Sequence, residues 1–331
     1  MDPLHFFFLI FSAMLFAGQF ICKKYFQLFN GTGFGAALRL TVLTNIVNII
    51  FFLIKNAVNG FSIEYTHFTF FIALILSLSN SLFAILGLKV IAVGDLAIYS
   101  VFMMLGSTIC GALTGIIFNG DPLSLTGGIA LVLMVISIVL SVKGSKNKKF
   151  TFKSFLLYMS AFLMNGVNSA LCAIHVGNPQ LSAGSTPTET QNLFMFWRHF
   201  ISFVITLVML IIMIIVKIHK AKKQGFNLFG VSKSADPDGS VAKRRSEISK
   251  SLLVSLCIFL PILLGICNGL GDYFQLIGMD KLGSIIAIPV VNGGVIVFST
   301  LTGILLFKEK ATPLTIISII MTIVSMVLFY I

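Results

Sequence analysis

Charge is what this sequence lacks. Only 10% of its 331 residues are Asp, Glu, Lys or Arg, against about 25% in soluble domains. Acids are scarcest, with 11 Asp and Glu against 23 Lys and Arg, and there are five His and one Trp. With so few acids and histidines, mostly scattered or in loops, no catalytic constellation gathers at one interface, as a membrane-embedded enzyme acting on lipid or an isoprenoid phosphate requires. Cysteine is sparse as well. Cys22, Cys110, Cys172, Cys257 and Cys267 sit in or at the ends of apolar runs. No CxxC or Cys/His spacing occurs, so neither a disulfide framework nor a zinc site is indicated. No cofactor or metal is indicated.

What fills the chain instead is apolar. Hydrophobic residues make up 57% of the sequence and the mean hydropathy is +1.02, far outside the range of a water-soluble globule. Ten apolar segments are expected, at about 4–22, 35–54, 68–88, 94–118, 123–142, 152–175, 192–216, 251–278, 283–307 and 312–331. A membrane-spanning helix needs about 20 such residues, whereas a barrel strand shows about ten in alternation. The fold class is therefore an all-α polytopic membrane protein with ten transmembrane helices. The first segment has Asp2 and His5 before it rather than a basic stretch, and no small-residue cleavage site after it. It reads as a permanent helix and not a cleaved signal.

The net charge of +12 is one-sided. Loops after segments 1, 3, 5, 7 and 9 carry 19 Lys and Arg, including Lys23, Lys24 and the basic connector at 217–250, while the opposite loops carry only Lys55 and Lys281. Basic loops face the cytoplasm and the anionic leaflet. The expectation is a plasma-membrane protein with cytoplasmic basic loops and both termini outside; nucleic acid is not an expected partner.

The second half of the chain echoes the first. Residues 68–142 shifted by 188 fall on 256–330 without gaps. Asn80 meets Asn268, Leu113-Thr114-Gly115-Ile116 meets Leu301-Thr302-Gly303-Ile304, Asp121 meets Glu309 and Ser137 meets Ser325. Five spans per repeat is an odd number, so the two halves have opposite orientation: a first repeat over 1–145 and a second over 150–331. Inverted repeats are a recurrent plan of secondary transporters, with the substrate at the midplane between them.

The stretch from Gly293-Gly294 through Ser299, Gly303 and Lys308-Glu309-Lys310 to Pro313 resembles the ninth helix, the acidic loop and the tenth-helix start of EamA-type transporters in the drug/metabolite transporter superfamily. The order of ten helices and the Gly-rich fourth and ninth segments are similar too. The resemblance implies a carrier of small organic metabolites, amino acids or drug-like solutes that works without ATP, and nothing Walker-like occurs in the chain. It also implies cytoplasmic termini, opposite to the charge count.

Candidate residues follow from the cost of polar groups in a bilayer. Asn80 and Asn268 occupy equivalent positions, and Asn165 and Asn168 share a helix face; each is either a substrate contact or a bond between helices. Asp272 is the one carboxylate clearly within an expected span, followed by Tyr273, and is a candidate for proton coupling or a structural ion pair. Arg198, beside Trp197, either snorkels to the interface or holds a carboxylate. These seven residues other than Asp272 (Asn80, Asn165, Asn168, Trp197, Arg198, Asn268 and Tyr273) are the expected substrate contacts. His175 is expected at the interface, and Pro289 is expected to kink segment 9. Gly111, Gly115, Ser299 and Gly303 are spaced for close helix packing. The expected site is lined by segments 1, 3, 4, 6, 8 and 9. The expected partners are a small-molecule substrate, the lipid bilayer, a proton as coupling ion, and at most a second copy of the chain.

Overall fold

The computed structural model describes residues 3–58, 63–93, 96–120, 123–144, 152–184, 187–221, 249–308 and 312–330. Most of the basic connector at 217–250 lies outside these residues, as do Asp121 and Glu309. Ten α-helices follow in order: α1 (Pro3–Asn30), α2 (Phe34–Val58), α3 (His67–Val93), α4 (Leu96–Phe118), α5 (Leu125–Gly144), α6 (Phe152–Gly177), α7 (Pro187–Ala221), α8 (Lys250–Leu282), α9 (Ser284–Phe307) and α10 (Pro313–Tyr330). No strand occurs among the described residues. Eight helices are long and apolar enough to cross a membrane; α5 and α10 offer the shorter apolar stretches Leu125–Ser137 and Ile316–Leu328 among the described residues. The protein is an all-helical, multi-pass membrane protein.

Local chemistry explains several boundaries. The Ser249 side chain accepts from the Leu252 amide and caps α8, satisfying a backbone donor that the first turn leaves free. Gly283, at φ 79°, ends α8 and opens α9 without an intervening loop; a left-handed backbone of this kind favours glycine. Pro289 lies inside α9 and Pro261 inside α8, and both helices run through them.

The first helix runs past its expected end at about residue 22. α1 continues to Asn30, so Lys23 and Lys24 belong to the helix and not to a loop. Lysine is a good helix former, and its ammonium here finds an aromatic face: Lys23 lies between Phe20 and Phe83, and Lys24 sits over Phe307.

Packing interleaves the halves of the chain. α1 packs on α8 and α9, while α6 packs on α3 and α4. Three further pairs close the bundle: α2 with α7, α4 with α9, and α5 with α10. Small residues set the closest approaches. A Cβ on Gly106 would collide with the Phe162 carbonyl of α6, and one on Gly294 would lie 2.6 Å from the Ala13 Cβ of α1. Gly111 faces Ser169 and Ile288, Ser299 donates to Ser100 Oγ across the α4–α9 seam at 2.8 Å, and Gly115 and Gly303 are buried. At the α5–α10 seam Ser137 and Thr322 share a 2.7 Å hydrogen bond and Ser325 donates to the Ala130 carbonyl. Bonds of this type join helices where hydrophobic contrast with lipid is absent.

Candidate functional site

A cavity of about 170 Å³ opens in the middle of the bundle. A second of about 110 Å³ adjoins it and shares Gln19, Lys23, Asn80, Phe83, Arg198 and Asn268 with it. The wall comes from α1, α3, α4, α6, α8 and α9, with Met195 and Arg198 of α7 in addition. Its character is unusual for so apolar a chain. Asparagine amides from four helices meet there: Asn80 of α3, Asn165 and Asn168 of α6, Asn268 of α8 and Asn292 of α9.

At its centre is an ion pair. Arg198 Nη1 donates to Asp272 Oδ2 at 3.3 Å, and both side chains are nearly buried. The pair is embedded in amides, as a charge withdrawn from water must be. Asn268, one helical turn before Asp272, donates to the same oxygen at 3.0 Å. Assigned with its oxygen towards the guanidinium, the Asn80 amide accepts from Arg198 Nε and Nη2 at 2.9 and 3.0 Å, and its other end meets the Asn168 amide at 2.6 Å. The equivalent asparagines of the sequence shift thus flank the two ends of one ion pair. Asn165 points elsewhere within the wall, donating to the Met103 carbonyl of α4 at 2.8 Å.

His199 extends the network towards α2. Asn45 Nδ2 donates to Ser202 Oγ at 2.9 Å, which leaves Asn45 Oδ1 to accept from His199 Nδ1 at 3.1 Å. That bond assigns the tautomer with hydrogen on Nδ1. His199 Nε2 then presents a lone pair towards Asp272 Oδ2 at 3.7 Å, with no hydrogen-bond partner. The ring is held flat against Phe52. Two acceptors facing one another leave a place for one proton between them.

Two expected substrate contacts lie outside both cavities. Neighbouring helix residues point about 100° apart, since a turn holds 3.6 residues. With Arg198 turned inward, Trp197 turns out: its indole N–H donates to the Glu64 carbonyl and the ring packs with Tyr65 and Phe70. With Asp272 inward, Tyr273 turns towards α2, where Lys55 donates to its hydroxyl at 3.0 Å. His175, near the end of α6, is fully buried among its neighbours, stacked on Phe194, with Nε2 3.2 Å from Thr69 Oγ1. Arg198, placed by the ion pair, does not snorkel.

Sequence reasoning missed Gln19, Lys23 and His199 as wall or network residues. Gln19 and Lys23 are four apart on α1, and this helix-face spacing was the available signal. It was hidden because a lysine at the end of an apolar run reads as the start of a loop.

All five cysteines are free thiols, and among the described residues no His, Cys, Asp and Glu group could hold a metal ion. No family model matches the chain, and no curated protein matches it either. One solved crystal structure superposes on 97% of this chain and 94% of its own with a TM-score of 0.62 at 12% identity, a likeness of fold alone.

Proposed function

We propose that the chain is a secondary-active carrier, and not an enzyme, which moves a small organic metabolite or amino acid across the plasma membrane by alternating access. In this reading all ten helices span, as two inverted five-helix repeats of the kind that the EamA-type resemblance implies. The observation that carries it is a cavity with several amides and an ion pair in its wall, in the middle of an apolar bundle, with Asn80 and Asn268 placed at opposite ends of the Arg198–Asp272 pair. Contacts that exchange under the repeat support it: α1 on α9 answers α6 on α4, and α2 on α8 answers α7 on α3. The volume of about 170 Å³ is below the ~300–1,000 Å³ of drug-sized ligand sites, which favours small metabolites over drug-like solutes. Asp272, facing the His199 lone pair, is the residue through which a proton couples to transport.

Reconstituted vesicles test this. Saturable counterflow of a substrate on its own gradient is the expected result, and a proton gradient drives uptake in the parent protein but not in Asp272→Asn. Flux that never saturates would indicate a channel. A C-terminal tag probed in cells tests the orientation with cytoplasmic basic loops; a tag facing the cytoplasm reverses it.

A further inference from the structure

Among the described residues, the cavity wall holds one more cation than acid. Lys23, Arg198 and Asp272 are the charged side chains in its wall. Arg198 is already occupied by Asp272 and by the Asn80 oxygen. Lys23 is not: among the described residues it has no acid within ion-pair reach, and its ammonium rests 5.7 and 5.8 Å from the ring centres of Phe20 and Phe83. Two aromatic faces position an ammonium without neutralising it. Out of water, such a charge is costly until a counter-charge arrives. Lys23 also borders both cavities, so its head is presented to whatever occupies either.

We propose that the site takes a small organic monoanion, with a carboxylate on Lys23 and hydroxyl or keto groups against the amides of Asn165, Asn168 and Asn268. Charge arithmetic selects the class. A cation would add to the surplus, and a neutral solute would leave Lys23 uncompensated. A phosphate monoester brings about −1.5 to −2, more than the single free cation can balance. A carboxylate brings one charge. A volume of about 170 Å³ restricts it to a compact molecule.

This identifies the substrate of the carrier proposed above, so its test separates the two ideas. The purified full-length protein is unfolded thermally in the presence of L-lactate, pyruvate and D-glycerate, each against its neutral amide, with inorganic phosphate as the comparison anion. Carboxylates are expected to raise the unfolding temperature and their amides to leave it unchanged. In Lys23→Gln, which keeps a side chain that can hydrogen-bond, the apparent affinity falls about tenfold or more, as loss of a charge-assisted bond requires. Lys23→Arg retains most of the response, which a merely structural lysine would not predict. Equal binding of the amides, an undiminished response in Lys23→Gln, a preference for phosphate, or no response to any carboxylate would overturn the proposal. Counterflow of the same compounds completes the test. Carboxylate binding without flux removes the carrier and leaves the anion site; flux of the neutral amides removes the anion site and leaves the carrier.

Discussion

The Arg198–Asp272 pair shows what a single charge demands of an apolar bundle. Removing one partner strands the other, and a buried charge without its partner costs about 3–5 kcal/mol. Arg198→Gln is therefore expected to lower thermal stability by about that amount, and so is Asp272→Leu. The double variant Arg198→Gln/Asp272→Leu removes both charges and is expected to recover most of the loss, which unfolding of the three proteins in detergent measures; additive losses would mean that the pair is not coupled. Six polar members of the site (Asn80, Asn165, Asn168, Arg198, Asn268 and Asp272) stand out in the sequence because each interrupts an apolar run that lipid alone would keep apolar. Trp197 and Tyr273 could not be sorted from them by proximity. Which of two adjacent residues faces inward depends on helix rotation, and rotation is set by neighbours far away in sequence. Lys23 was hidden for the opposite reason, since it ends an apolar run where a loop is expected to begin and does not interrupt one.

Helix boundaries were more legible than helix neighbours. Adding 188 to the bounds of α4, Leu96–Phe118, gives 284–306, against the observed Ser284–Phe307 of α9. Neighbours depend on small residues whose role appears only once a partner is known. The pattern of Gly111, Gly115, Ser299 and Gly303 drew attention to the α4–α9 seam, yet the α4 glycine with the least room for a Cβ is Gly106, which lies against the α6 backbone at Phe162. A backbone carbonyl cannot rotate aside as a side chain can, so the whole helix must shift to admit a Cβ. Overpacking of this kind costs about 1–3 kcal/mol in ordinary cores, and Gly106→Val is expected to reach or exceed the top of that range. Its yield of monodisperse protein in gel filtration should collapse. Gly128→Val is the control: its nearest neighbour, a Leu123 methyl, is 4.0 Å from the added Cβ, and normal yield is expected. Equal yields of both variants would show that the α4–α6 seam yields more easily than its geometry implies.

At the scale of the molecule, the sequence halves and the packed bodies differ. Residues 1–145 and 150–331 suggest two side-by-side units, but α1 packs with α8 and α9, and α6 packs with α3 and α4. The cavity lies between these two three-helix groups, each of which contains one helix from the other half. If access alternates, the groups must move against one another, and the α4–α9 seam between them must open or slide. Ser100 and Ser299 meet there with their hydroxyls 2.8 Å apart, close enough for a disulfide after modest adjustment. In a background with the five native cysteines replaced, Ser100→Cys/Ser299→Cys is expected to transport when reduced and to stop when oxidised, with recovery on reduction. Each single variant should be insensitive to oxidant. Bound substrate, if it draws the two groups together, should also quicken formation of the crosslink. Full transport by the oxidised, crosslinked protein would mean that this seam stays closed throughout the cycle, and the moving boundary would then have to lie along α1–α8 and α3–α6 instead.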